Sequence, residues 1–170
     1  MFRFASLAVC LALTATGAFA QTPGGAPVVT PPPSLAPSAA AQAGKAFLAT
    51  NAKAPGVVSL PSGLQYKILA SGPKDATSPK LGDIIKVHYE GKLLDGTVFD
   101  SSFERNQSVI MPLDGLVQAW LEALPMMKVG DEWLLYVPPE LGYGDREAGP
   151  IPPGSVMVFR LKLLGMLAVD

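Results

Sequence analysis

The sequence predicts an α+β domain built on an antiparallel sheet, with one short helix available to cover a sheet face. Three observations support this fold class: several segments alternate apolar and polar residues, turns of hairpin length join them, and one short segment has helical periodicity. Strands connected by short turns pair antiparallel, because parallel strands need long crossovers. No internal repeat is visible.

The strand segments follow one another along the second half of the chain. In the clearest of them Ile85, Val87 and Tyr89 share one face, whereas Lys86 and His88 share the other. Asp95-Gly96 is a hairpin signal that ends this strand. We predict strands at 64–69, 84–94, 97–99, 108–113, 132–137 and 156–164.

The one short helix of this domain is predicted over residues 115–124. Asp114 is a plausible N-cap and Pro125 a stop signal. Val117, Trp120 and Leu124 recur at i, i+3 and i+7, so they form one apolar stripe. Residues 138–155, rich in Pro and Gly, form a long loop before the last strand.

The first twenty residues have the features of a secretory signal peptide. Arg3 supplies the positive charge, an apolar run follows, and Ala18-Phe19-Ala20 is a cleavage signal before Gln21. Lipoprotein cleavage at Cys10 is disfavoured, because too little apolar sequence precedes it. We therefore expect a mature chain without thiols or a membrane anchor, in the periplasm or outside the cell.

Between the signal peptide and the domain, the chain changes composition twice. Residues 21–40 are rich in Pro, Ala and Gly and predict a flexible, disordered linker, because they cannot bury enough surface to offset their ordering entropy. A short helix is predicted over 41–52, within a helical lead-in of residues 41–59. The folded domain is expected over 60–170.

Composition excludes several classes of function. The formal net charge of −1 gives no electrostatic footprint for nucleic acid. The only histidine, His88, lies on a polar strand face and is expected to be structural or exposed. Residues 95–100 have Gly96 and Phe99 where a calcium loop needs ligands, so we predict neither a metal site nor a cofactor.

A set of aromatic residues and one carboxylate suggests where a site could form. They are spread over separate apolar segments, with Asp100 directly after the second aromatic. If these segments converge, they enclose an apolar cavity without a nucleophile. The five aromatic residues are Tyr89, Phe99, Trp120, Tyr143 and Phe159.

Three stretches in this order and spacing resemble the signatures of the FKBP-type peptidyl-prolyl isomerases. They are Val87-His88-Tyr89-Glu90-Gly91, the run from Asp95 to Ser102, and Gly142-Tyr143-Gly144 followed by Ile151-Pro152-Pro153. Residues 60–66 are similar to the domain entrance of bacterial secreted members. The resemblance spans about Leu60 to Met166.

The resemblance implies a twisted antiparallel sheet wrapped around the short helix, with the active site between them. It implies that Tyr89, Phe99, Trp120, Tyr143 and Phe159 line a pocket whose floor is Trp120. Val117 and Ile151 would complete the wall, with Asp100 at its edge, and Met111 and Leu116 would also contact substrate. The Val117 N–H and the Tyr143 hydroxyl would bind substrate carbonyls.

The function implied is rotation of Xaa-Pro bonds in unfolded or partly folded envelope proteins, with macrolide-type inhibitors as possible ligands. Two departures bear on ligand preference: Val109 and Met111 stand where many members carry an aromatic, and the loop from Tyr143 to Ile151 is one residue shorter.

The alternative is a binding protein of the same fold that captures apolar or proline-containing segments with little turnover. An oligomeric form is disfavoured because a long helical dimerisation arm is missing, so we expect a monomer.

Overall fold

The computed structural model describes residues 38–169 of the chain. The predicted signal peptide, Cys10 and nearly all of the predicted linker lie outside the described residues. The elements are α1 (Ala39–Asn51), β1 (Val57–Ser59), β2 (Gln65–Ala70), β3 (Ile84–Leu93), β4 (Val98–Ser101), β5 (Val109–Pro112), α2 (Gln118–Ala123), β6 (Glu132–Val137) and β7 (Met157–Leu167).

The seven strands form one antiparallel sheet, which confirms the predicted α+β fold. Six of them lie in the order β1-β2-β6-β7-β3-β4, and β5 pairs with the first half of β3. The longest pairing joins β3 to β7, from Ile84 opposite Leu167 to Leu93 opposite Met157. The hairpin predicted at Asp95-Gly96 joins β3 to β4, with Gly96 at φ +90°.

The core lies on one face of this sheet, where α2 packs. The predicted apolar face of β7, formed by Met157, Phe159, Leu161 and Leu163, is at most 5% exposed. From α2, Trp120 reaches the same face and is 5% exposed. Burial of these side chains supplies most of the driving force for packing the helix onto the sheet.

The opposite face of the sheet is covered in part by α1. Its Phe47 ring packs against Tyr136 of β6 at a centroid distance of 5.7 Å. The side-chain amide of Gln65 donates to the carbonyl of Leu48 at 2.9 Å and accepts from Asn51 at 2.9 Å. The two apolar faces of β6 therefore have separate partners, one in the core and one in α1.

Two expectations about local structure were wrong. Asp114 does not cap the short helix, because a turn with Gly115 at φ +64° separates them, and Val117 is the N-cap, without a side-chain hydrogen bond. The α-helix does end before Pro125, as predicted, and a single 3₁₀ turn continues through Met126. Residues 57–59, expected within the helical lead-in, form the strand β1 beside β2.

Other boundaries moved by a few residues. The lead-in helix begins two residues earlier than predicted, at Ala39, and β7 extends three residues further, to Leu167. Within residues 38–169, none of the helices combines the length and hydropathy that crossing a membrane requires.

Candidate active site

One cavity, of about 730 Å³, opens between α2, the sheet and the loop that precedes β7. All ten residues named from the sequence line it. They are Tyr89, Phe99, Asp100, Met111, Leu116, Val117, Trp120, Tyr143, Ile151 and Phe159. Sequence reasoning missed six further lining residues, namely Gly115, Gln118, Gly142, Arg146, Ala148 and Pro150.

The aromatic rings meet edge to face. Trp120 contacts Tyr89 at 5.2 Å and 74°, and Phe159 at 5.5 Å and 82°, between ring centroids and planes. Phe99 contacts Phe159 at 5.6 Å and 82°. Such pairs are favourable beyond the area they bury, so each ring fixes the orientation of the next.

The absence of a side chain at Gly91 makes this ring packing possible. Gly91 lies opposite Phe159 on β7 and opposite Asp100 on β4. A Cβ atom there would lie 2.4 Å from the Phe99 ring and 2.8 Å from the Phe159 ring. Glycine is therefore required at this point for steric reasons, because the two rings occupy its side-chain space.

The polar edge of the cavity is a network of three side chains. The hydroxyl of Tyr89 donates a short hydrogen bond to Oδ2 of Asp100. Arg105 donates to Oδ1 of Asp100 at 2.5 Å, and its other terminal nitrogen lies 3.4 Å from the Tyr89 hydroxyl. Both oxygens of Asp100 are thus engaged, and the carboxylate is half exposed at the rim.

The network stabilises the protonated form of Tyr89 and the ionised form of Asp100. Burial and the hydrogen bond to Asp100 raise the pKa of Tyr89 above its ordinary value. Burial opposes the ionised form of Asp100, but the hydrogen bonds from Tyr89 and Arg105 outweigh it and lower the pKa of this carboxyl. Near neutral pH, Asp100 is a satisfied carboxylate and a poor proton acceptor.

Sequence reasoning did not find Arg105. It is exposed, five residues beyond Asp100, in a turn between β4 and β5. A lone surface arginine carries no periodic or compositional signal. Its ion pair with Asp100 forms only because the turn folds back toward Tyr89.

His88 lies on the other side of β3, as expected. Its ring stacks on Phe103 at 4.9 Å, and Nδ1 lies 3.0 Å from the Ser102 hydroxyl. Ser102 is fully buried and also bonds the backbone N–H and carbonyl of Tyr89, at 2.7 and 3.2 Å. A hydroxyl without access to substrate cannot be a nucleophile, so this Ser–His pair is structural.

Several hydrogen-bond donors of the lining residues have no partner in the described part of the chain, and two of them matter for ligand binding. Neither the amide of Val117 nor the hydroxyl of Tyr143 has an acceptor among residues 38–169. Val117 precedes α2, so its amide is one of the donors that a helix start leaves unsatisfied. Both donors are therefore available to carbonyl groups of a bound ligand.

The cavity has few reactive groups. None of its lining residues is Ser, Thr, Cys, His or Lys. Over the described part of the chain, no group of three His, Cys, Asp or Glu side chains could hold a metal ion. The arrangement can bind an apolar group, orient adjacent carbonyls and exclude water.

Comparison with known proteins identifies the family to which this fold and cavity belong. Residues 75–164 match the model described as FKBP-type peptidyl-prolyl cis-trans isomerase, and residues 35–68 match the domain amino terminal to it. The chain belongs to the FKBP-type peptidyl-prolyl cis-trans isomerase family.

Two curated relatives illustrate the similarity. The peptidyl-prolyl cis-trans isomerase Mip of Coxiella burnetii is 45% identical over 127 residues, which is 74% of this chain and 54% of that protein. The FKBP-type 22 kDa peptidyl-prolyl cis-trans isomerase of Escherichia coli is 46% identical over 130 residues, or 76% of this chain and 62% of that protein. The chain thus spans little more than half the length of these relatives.

Solved structures show the same fold. FkpA from Escherichia coli superposes with a TM-score of 0.71 at 36% identity, over 75% of this chain and 59% of that one. A peptidyl-prolyl cis-trans isomerase from Pseudomonas syringae pv. tomato also gives a TM-score of 0.71, at 31% identity, over 79% of this chain and 98% of that one.

Replacing Gly91 by alanine should weaken ligand binding in the cavity by a larger free energy than it removes from the stability of the fold. The added methyl group collides with the Phe99 and Phe159 rings, which must turn out of their edge-to-face contact. We expect a loss of about tenfold or more in affinity for a proline-containing peptide, measured by titration calorimetry. Gly165→Ala, at a position of β7 with open space around the added methyl group, is the control for a general effect of removing glycine.

Removing the Tyr89 hydroxyl should raise the pKa of Asp100 toward its ordinary value. The lowered pKa means that hydrogen bonds to the ionised Asp100 stabilise the fold above about pH 4, and that this contribution is lost as pH falls through the folded-state pKa. In Tyr89→Phe this contribution should be smaller, and its loss should be complete at a higher pH. Carboxyl-carbon NMR titration measures the shift, with Tyr136→Phe as control, and an unchanged Asp100 titration would contradict the network.

Proposed function

We propose that this protein is a peptidyl-prolyl cis-trans isomerase that rotates Xaa-Pro bonds in proline-containing polypeptides. The observation that supports this most directly is the cavity itself, with aromatic walls, unpaired donors and no nucleophile, in a chain of this family. The relatives named above are called peptidyl-prolyl cis-trans isomerases.

The reaction needs an environment rather than a reagent. Rotation about a peptide bond faces a barrier of about 18–20 kcal/mol, because amide resonance is lost on twisting. The twisted amide has a less polar carbonyl than the planar one, so an apolar cavity without water favours it. About 5–8 kcal/mol of such differential binding corresponds to an acceleration of about 10⁴–10⁶-fold.

Each group of lining residues has a role in this proposal. Trp120 is the floor under the prolyl ring, and Tyr89, Phe99 and Phe159 are the apolar walls. The remaining contacts come from Met111, Leu116 and Ile151.

The polar groups orient the chain on either side of the rotating bond. The Val117 amide and the Tyr143 hydroxyl donate to substrate carbonyls, which fixes the segments flanking the proline. Asp100, fully hydrogen bonded at the rim, orients Tyr89 and neighbouring groups and takes no proton.

The same family membership supports proposals for the ligands of the cavity and for the cellular location of the protein. A relative in Debaryomyces hansenii, 44% identical over 111 residues, is named FK506-binding protein 2, and we propose that macrolide-type inhibitors bind this cavity also. A relative in Legionella longbeachae is named outer membrane protein MIP. Together with the signal-like N-terminus, this supports a periplasmic role on folding envelope proteins.

Phe159→Ala and Trp120→Ala should each reduce isomerisation by about tenfold to a hundredfold, because each removes an apolar surface that contacts the prolyl ring. Asp100→Ala should lower it less. Exchange NMR or a protease-coupled assay on a panel of Xaa-Pro peptides measures the rates. Phe103→Ala, which removes an aromatic ring outside the cavity, is the matched control.

The same panel tests the alternative function. A folded wild-type protein that binds these peptides yet accelerates none of them would support capture of proline-containing segments without turnover. The polarizable, flexible Met111 in the cavity wall is compatible with that outcome, since methionine adapts to varied ligands.

We further propose that the protein is a monomer. Helix α1 has 13 residues, and its packing partners are β2, β6 and the loop before β7 in the same chain. Light scattering at micromolar concentration should give the mass of a single mature chain. A stable dimer under those conditions would refute this.

A further inference from the structure

The start of helix α1 lies against the loop that forms one wall of the cavity. The hydroxyl of Ser38 accepts a hydrogen bond from the amide of Ala41 at 3.1 Å, which caps the helix. The same hydroxyl donates to the carbonyl of Pro153 at 3.0 Å, 115 positions further along the sequence. One hydroxyl group therefore both begins the helix and binds the loop.

The next turns of α1 approach the same loop closely at two glycines. A Cβ atom at Gly154 would lie 2.9 Å from the Ala41 methyl, and Gly154 has φ +72°, which favours glycine. A Cβ atom at Gly44 would lie 2.6 Å from a methyl of Val156, which is buried. Small residues on both sides thus allow the helix and the loop backbone to approach closely.

The far end of α1 is fixed to the sheet. Gln65 of β2 bonds the helix carbonyl of Leu48, and Phe47 packs on Tyr136 of β6. The helix consequently joins a rigid part of the fold to the loop before β7. Movement of the loop away from the sheet would have to break contacts with α1.

This loop carries cavity residues but has few bonds to the sheet. Pro150 and Ile151 line the cavity, and Ile151 is 4% exposed. The loop's backbone bonds are largely internal: Ala148 and Ile151 pair with each other, at 3.1 and 3.0 Å, and Gly154 donates to Gly144 at 2.9 Å. Segments with few ladder bonds open locally at low cost, so external contacts decide their position.

We propose that helix α1 holds the Ile151 wall in its binding-competent position, and that Ser38 is a positioning residue for isomerisation. Ser38 touches no cavity residue and acts through Pro153 and the loop. The inference rests on the proposed function for its kinetic consequence, whereas its structural consequence is independent of catalysis.

Loss of this contact should affect substrate binding rather than the rotation step. Without it, the loop is displaced in part of the molecules. The apparent affinity then falls in proportion to the fraction of molecules whose loop is still in the binding-competent position. A bound substrate packs against Ile151 and restores the wall, so the bound complex reacts as before. We expect KM to rise about two- to fivefold with kcat unchanged, the range that loss of one hydrogen bond supports.

Two substitutions at Ser38 separate the cap from the loop contact. An ionised aspartate caps helices as well as serine does but cannot donate a hydrogen bond, so Ser38→Asp keeps the helix and loses the bond to Pro153. Ser38→Thr retains both functions and should match wild type. Circular dichroism checks that helicity is equal in all three proteins.

A second substitution tests the packing independently. Gly44→Leu raises the intrinsic helix propensity of α1 yet forces the helix and Val156 apart. Ala46→Leu adds the same side chain at an exposed position of the same helix and is the matched control. Gly44→Leu should raise KM, and Ala46→Leu should not.

Hydrogen exchange of the full chain gives the readout that does not depend on activity. In Ser38→Asp and Gly44→Leu, the amides of Ala148, Ile151 and Gly154 should exchange about two- to fivefold faster, while amides of β7 stay unchanged. Unaltered exchange in this loop, or a fall in kcat at constant KM, would overturn the inference. An inactive wild-type protein would instead refute the proposed function, and the exchange data would still decide the role of α1.

Discussion

The antiparallel pairing of β3 with β7 is the constraint on which the cavity depends. Its register places Tyr89 opposite Leu161 and Gly91 opposite Phe159. A slip of one residue would turn every one of these side chains to the other face of the sheet, so the pairing fixes which rings meet. The glycine must then stand where the rings of Phe99 and Phe159 converge. The pairing of these two strands thus positions Tyr89 and Phe159 in the cavity and leaves the space at Gly91 that the rings need.

The polar groups follow the same logic. Each polar group at the edge of the cavity either has a partner within the protein or is left for a ligand. Asp100 has both its oxygens bonded, and its pKa is lowered, whereas the amide of Val117 and the hydroxyl of Tyr143 have no partner in the described chain. A donor that a bound ligand covers without supplying an acceptor is costly, which gives a carbonyl-bearing ligand an advantage over an apolar one. The selectivity of the site therefore depends on its unsatisfied donors as much as on its aromatic surface.

The sequence predicted the parts of this architecture that depend on local periodicity. Alternation, apolar runs and turn signals located six of the strands, and the i, i+3, i+7 spacing put Trp120 on the core side of its helix, because burial has the same period as the backbone. The ten cavity residues came together as the motifs implied. What could not be foreseen depends on where the chain folds back on itself: Arg105 bonding Asp100, β1 pairing with β2, and Ser38 bonding Pro153. Asp114 does not cap the helix because Gly115, in the left-handed region, turns the chain before the helix begins. The signals of a single sequence do not determine at which of two adjacent turns a helix starts.

The walls of the cavity differ in how they are held, and this difference has a functional meaning. Tyr89 and Phe159 stand on strands that pair without a register shift from Val87 to Leu93, and Trp120 on a helix whose core side is buried. Ile151 stands on a loop whose position depends on a helix from the other end of the chain. In the proposed function a polypeptide substrate enters through the open side of this cavity and packs against walls that differ in rigidity. The loop is the wall with few bonds to the sheet, so the strength of its contact with α1 sets the fraction of molecules in which the cavity is fully formed.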